Sequence, residues 1–221
     1  MGLIAKATGG GADREPIPEG VYRAVCYAVY DLGTHETSFE GHVKDVRRVM
    51  IAWELPDERM DWEKDGETVD AACVISAKYT LSLHKKAKLR GVLECWRGQA
   101  FTDEELAGFD VTKLLGACCQ VQVVHSTSKD GSRTYANVAA VIALPKGTKK
   151  FKAENAHRFF SFDDDANCVL DDTIPEWVQG IIKDSGEWKA LEAGADPATT
   201  DAADETGGNT TDVTEEDNLP F

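Results

Sequence analysis

Three consecutive aspartates, Asp163-Asp164-Asp165, stand near Glu154 and His157, a set of groups that in a compact site would hold a divalent metal for phosphodiester hydrolysis. Adjacent carboxylates on a charged linker are ordinarily solvated, and no acid constellation at strand ends accompanies these. Gly9-Gly10-Gly11 lacks the Lys-Ser/Thr continuation of a phosphate-cradling loop. The six cysteines (Cys26, Cys73, Cys95, Cys118, Cys119, Cys168) form no CxxC pair and share no metal-ligand spacing with the five histidines. Several lie inside apolar runs, where a reduced thiol acts as a small hydrophobe. No Ser-His or Cys-His pair stands out. The expectation is a chain without catalytic residues, metal or cofactor.

The other chemistry is that of cations beside aromatic rings. Lysine and arginine neutralise phosphates, releasing condensed counterions, and aromatic faces stack on nucleobases at about 1–3 kcal/mol each whatever the base. Strand alternation sorts the candidates. On a first strand, Tyr22, Ala24, Cys26 and Ala28 form an interior set, leaving Arg23 and Tyr27 outside. On a second, Val49, Ile51, Trp53 and Leu55 share the inner face and Arg48 faces out, beside Arg47. Lys78 is outward if Cys73, Ile75, Ala77 and Tyr79 point in. On the last strand Thr134, Ala136, Val138, Ala140 and Ile142 make the core set, which turns Tyr135 and Asn137 outward. Loops add Phe39 and Lys44, then Lys129 and Arg133; Phe39 suits stacking or local packing equally. Lys85-Lys86-Ala87-Lys88-Leu89-Arg90 is the densest basic run, either a solvated helix face or a nucleic-acid path. Trp53 and Trp96 read as core.

The elements that must position these groups are mostly strands. Residues 1–15 read as a loose arm. Strands follow over Val21–Leu32, Arg47–Leu55 and Val69–Leu81, separated by a polar loop over 33–46 and a charged loop after Pro56-Asp57. Residues 84–97 carry Ala87, Leu89, Val92, Leu93 and Trp96 at helical spacing. Thr102-Asp103-Glu104-Glu105 has the form of a helix start. Strands over Cys118–Ser126 and Thr134–Leu144 flank Lys129-Asp130-Gly131-Ser132, a hairpin tip of the Asp-Gly type. Strand, strand, strand, helix, strand, strand is the order of a five-stranded OB-fold barrel over 16–150, a mainly β class. A mixed α+β sheet is the alternative. An extension over 151–191 includes a helix at about 174–191, with Trp177, Val178, Ile181 and Ile182 on one face, expected to pack back on the barrel.

Charge divides unevenly along the chain. The formal net charge is -15 over 221 residues, yet residues 1–150 carry 20 Lys or Arg against 21 Asp or Glu. Residues 190–221 carry nine acids and no base. A segment of that composition is expected to be disordered and self-repelling. It ends in Asp217-Asn218-Leu219-Pro220-Phe221, an apolar tip suited to hooking a partner's pocket while its carboxylate meets a basic residue there. The same carboxylates, tethered near a basic groove, are expected to compete weakly with nucleic acid. The longest apolar run, Val138 to Leu144, is far too short to span a bilayer, no secretory signal is evident, and a cytoplasmic setting is expected.

On these residues the chain resembles the single-stranded DNA-binding proteins of bacteria and, more closely, those encoded by bacteriophages. The tip echoes the bacterial acidic Pro-Phe ending, with Asn218-Leu219 where an acid and Ile are usual. Ile17-Pro18-Glu19-Gly20-Val21-Tyr22, Trp53-Glu54-Leu55-Pro56 and Trp96-Arg97-Gly98-Gln99-Ala100-Phe101-Thr102 look like the phage-type family. The resemblance implies a protein that coats and protects unpaired DNA during replication, recombination or repair. It also implies recruitment of partner proteins through Asp217, Leu219, Pro220 and Phe221, in a host cytoplasm; self-association into a homo-oligomer stays open. The rival reading is an OB-type protein–protein interaction module without nucleic-acid affinity; strand annealing and RNA binding stay open.

Overall fold

The structure is a computed structural model and describes residues 15–39, 41–64, 67–164 and 166–194. The arm before residue 15 and the acidic tail with Asp217, Leu219, Pro220 and Phe221 lie outside the described residues.

Strands β1 (Gly20–Phe39), β2 (His42–Lys64), β3 (Glu67–Thr80), β4 (Cys118–Thr127) and β5 (Thr134–Ile142) form one curled antiparallel sheet in the order β3-β2-β1-β4-β5. Its edge strands β3 and β5 curl toward each other, with Cα atoms within 8 Å. Helix α1 (Lys88–Arg97), the short helix α2 (Asp103–Ala107) and a 3-10 turn (Val111–Leu114) lie between β3 and β4. A three-residue strand, β6 (Arg158–Phe160), pairs parallel with Ala28–Tyr30 of β1, on the edge that β4 leaves after Val25.

The loops expected over 33–46 and 57–68 are instead the ends of long β-ribbons. Thr34 pairs with Arg47 and Phe39 with His42, so the strands continue to a tip at Gly41. Arg59 through Lys64 pair with Ala72 through Glu67 in the same way, after Pro56-Asp57-Glu58 bulge out of β2. The residues of these ribbons are largely polar, so no sustained apolar alternation announces them.

Inside the curl sit Trp53, Leu55, Val49, Ile51, Ala24, Cys26, Val29, Val121 and Tyr79. Trp96 and Leu93 of α1 plug the interior, the Trp96 ring 5.8 Å from that of Trp53. Trp96 Nε1 donates to the Cys118 carbonyl at 3.2 Å, so its polar end stays paired while the ring is buried. Helix α1 stops at Gly98, whose φ of 68° is the left-handed cap that glycine adopts without a Cβ penalty. Thr102 and Glu105 form the reciprocal capping box of α2.

Bulges shift the strand phase. An extra residue at Tyr27 separates Cys26, opposite Trp53, from Ala28, opposite Ala52. Ala28, placed in the interior by simple alternation, therefore points to the outer face. An extra residue at Ala139 acts likewise on β5: Ala136 and Val138 pack inward, but beyond the bulge Val141 is buried and Ile142 is 42% exposed.

The outer face of β1 and β2 is also buried. Tyr27, Ala28, Tyr30, Met50 and Ala52 pack against Phe160, Phe162, Ile174, Val178 and Ile182 of the C-terminal extension. The single helix expected at about 174–191 is two helices, α3 (Glu176–Lys183) and α4 (Gly186–Glu192), broken where Ser185 caps the second by accepting from Trp188 N. Glu187 of α4, itself buried, accepts from Thr34 N and Thr34 Oγ1 and so clips the pair to β1.

Candidate nucleic-acid interface

The extension leaves one part of the outer face open. Cross-strand pairs Val21–Gln122–Ala140, Arg23–Gln120–Ile142, Val124–Asn137 and Ser126–Tyr135 lie on it. Val21 and Ile142 are 55% and 42% exposed there. Asn137 Nδ2 donates to Ser126 Oγ at 2.7 Å and holds the outer ends of β4 and β5 in register beside Tyr135. At one end of β5 the β4–β5 turn presents Lys129 and Arg133, both exposed. The turn is tied by Asp130, whose carboxylate accepts from Ser132 N and from the Ser128 and Ser132 hydroxyls. Those bonds hold the Asp130 carboxyl down at about 2.

At the other end of β5 the chain turns back across the sheet. Ala143 N donates to Cys95 O, the Cys118 thiol donates to Phe151 O, and the buried Glu54 carboxylate accepts from Glu154 N, Asn155 N and Asn155 Nδ2. This strap carries Lys146, Lys149, Lys150 and Lys152, all exposed and without an ion pair among the described residues. Its aromatic residue, Phe151, lies 5.1 Å beneath the Arg23 guanidinium, which also forks onto Asp57 at 2.5 and 2.6 Å. That ion pair draws the Asp57 carboxyl below its usual range. The nine residues of β5 span about 30 Å, so cations bracket an open face of that length with Tyr135 and Asn137 between them.

The ten expected contact residues thus separate. Arg23, Lys129, Arg133 and Tyr135 share the open face. Arg48 and Lys78 are half-buried diagonal neighbours on the outer side of β2 and β3. Lys44 is exposed on the β1–β2 ribbon, where the carbonyl of Lys44 accepts from Thr37 Oγ1. Phe39 closes β1 opposite His42, and the stacking role expected of it concerns a side chain outside the described residues.

Two expectations are corrected. Tyr27 faces the outer side, as alternation expects, but the C-terminal extension packs over that side and leaves it 7% exposed, so it is not available for contact. Burial pushes its phenol up to about 12. Arg47 is a structural cation: it binds the buried Asp31 and, at 2.8 Å, Asp163, which keep it protonated despite its partial desolvation. The lysines of the strap were missed by reasoning from strand alternation, although Lys146-Gly147-Thr148-Lys149-Lys150-Phe151-Lys152 interleaves cations with an aromatic in plain text. Glu54 was missed too, and its signal is a carboxylate standing between Trp53 and Leu55 in an apolar strand.

Asp163, Glu154 and His157 do not converge: Asp163 faces Arg47 and Glu154 faces Arg59, and among the described residues no group of three or more His, Cys, Asp or Glu is placed to hold a metal ion. No helix among the described residues is long and apolar enough to cross a membrane. No family model, curated protein or solved structure matches the chain.

Proposed function

We propose that the protein is a non-enzymatic single-stranded DNA-binding protein built on an OB-type barrel. It coats unpaired strands during replication, recombination or repair, and it engages partner proteins through its acidic C-terminal tip. The strand order β3-β2-β1-β4-β5, the converging edges and the helix between β3 and β4 support the barrel. The observation that carries the function is the open face of β4 and β5, with Tyr135 and Asn137 between the turn cations Lys129 and Arg133 and the lysines of the strap. A face of about 30 Å holds several extended nucleotides, within the 4–16 that one such barrel covers. Flexible single strands can bring phosphates to both cationic ends while a base stacks between them; a rigid duplex cannot expose a base face to Tyr135.

The test is a titration of labelled oligo-dT, oligo-U and duplex DNA at two salt concentrations. Oligo-dT is expected to bind more tightly than duplex, with log K falling by about 0.7 per phosphate contacted as log salt rises. Equal affinity for duplex and single strand refutes the stacking mechanism. A second reading, a protein-binding module, is favoured by exposed Val21 and Ile142 on the same face; absence of any strand binding would select it.

A further inference from the structure

A cleft of about 340 Å³ opens where the β3–α1 connection, the 3-10 turn and the residues after β6 meet. That is within the range of about 300–1,000 Å³ typical of small-molecule sites. Its walls are Leu81, Leu83, Leu89, Phe109, Val111 and Phe159. Two carboxylates, Asp110 and Asp163, line it as well. Asp110 uses Oδ1 to accept from Thr112 N at 2.9 Å and Thr112 Oγ1 at 2.6 Å. Asp163 uses Oδ2 for Arg47. The remaining oxygens, Asp110 Oδ2 and Asp163 Oδ1, accept from no donor among the described residues. The Thr112 bonds hold the Asp110 carboxyl below its usual range, so it stays an acceptor at neutral pH. Around the cleft, Lys85, Lys86, Lys88 and Lys113 stand within a few residues of its walls, exposed and without an ion pair among the described residues.

Apolar and aromatic walls, exposed acceptor-only carboxylates at the mouth and ammonium groups around it define a complementary ligand. It has a flat body, N–H donors on its edge and an anionic group that remains near the rim. We propose that this cleft binds one amino-bearing nucleobase of a bound strand. The exocyclic amine of adenine, cytosine or guanine donates to the free oxygen of Asp110, the ring lies against Phe109 or Phe159, and the phosphate meets the lysines. Thymine offers carbonyl oxygens where these amines stand and is disfavoured against the carboxylates. The proposal rests on the single-strand reading above and adds a base preference to it. The two sites are joined by α1: Ala143, just past β5, bonds to Cys95, and from there to Leu89 the helix rises only about 9 Å.

The test uses the full chain with dCMP, dAMP and dTMP as separate probes, read by amide chemical shifts at Leu81–Leu89 and Phe109–Thr112. The amino nucleotides are expected to shift these amides saturably and to bind about tenfold more tightly than dTMP, the scale of one hydrogen bond to a charged group. Asp110→Asn keeps the Oδ1 acceptor for Thr112 but replaces the free oxygen by a donor, and it is expected to bring the ratio near one. Equal affinities, shifts confined to other regions, or an unchanged ratio in the variant overturn the proposal. Oligo-dC and oligo-dT titrations separate it from its premise. Strand binding with silent cleft amides removes the cleft alone; cleft occupancy by dCMP without strand binding keeps the cleft as a nucleotide site and removes the single-strand reading.

Discussion

Replacing Lys146, Lys149, Lys150 and Lys152 together by alanine isolates the electrostatic part of the proposed interface. These four side chains are exposed and have no ion pair among the described residues, so their removal breaks no ion pair of the fold. If each meets one phosphate, the slope of log K against log salt should become shallower by about 2.8 for the set. Taking the electrostatic gain as vanishing near 1 M salt, affinity should fall by about 600-fold near 0.1 M and about 90-fold near 0.2 M. Anisotropy titrations of oligo-dT across that range measure both quantities. Thermal unfolding should be unchanged within error, as for ordinary surface substitutions. Lys183→Ala, an exposed lysine in the last turn of α3, serves as the control and should leave the slope alone. Parallel salt lines for variant and parent would refute the strap as a phosphate path, whatever the absolute affinities.

Tyr27→Ala should cost about 3–5 kcal/mol in urea unfolding, as for buried aromatics, while the folded fraction keeps its affinity for oligo-dT. A loss of affinity at unchanged stability would make Tyr27 a stacking residue after all. Gly33 has φ of 74°, and a Cβ there would lie 2.5 Å from Ser185 Cβ. Gly33→Ala should therefore destabilise by about 1–3 kcal/mol and deprotect the α4 amides in hydrogen exchange; parental protection of α4 would show that the Gly33–Ser185 approach does not hold the helices in place. The Asp130 carboxyl should titrate near 2 by NMR. Its folded value lies below the ordinary Asp value of about 3.9, so its stabilisation of the β4–β5 turn is present above that value and is lost as pH falls through about 2. A midpoint near 4 would mean that the turn is not tied through Asp130.

What alternation could read, it read well: Val49, Ile51, Trp53 and Leu55 are buried together, and Cys73, Ile75 and Tyr79 face them. It failed where the backbone inserts a residue. Nothing in Cys26-Tyr27-Ala28 marks a bulge, yet that single insertion moves Ala28 across the sheet, while Tyr27 is buried by the docking of the extension. The ribbons over 33–46 and 57–64 were illegible for a different reason, since their largely polar residues show no sustained apolar period to detect. Arg47 illustrates a third limit. Its binding to Asp163 joins residues 116 positions apart, and only the docking of the extension makes the pair.

The docking of that extension also decides which part of the sheet is left open for the proposed strand. A curled sheet with one solvated face offers its whole outer surface, and sequence reasoning spread its candidates over all of it. Here Phe160, Phe162, Ile174, Val178 and Ile182 occupy the outer side of β1 and β2, and Glu54 pins the strap that leads to them. Opening that side would expose a second core of aromatic and aliphatic side chains, each worth about 1.5–3 kcal/mol of burial. No phosphate contact by Arg47 could offset that loss, because moving Arg47 would also leave the carboxylate of Asp31 buried without its cation. The strap that closes one half of the sheet delivers four lysines to the edge of the other half. Closing the β1–β2 side and charging the β4–β5 side are therefore consequences of one chain path, and a variant that releases the strap, such as Glu54→Ala, should weaken both stability and strand binding together.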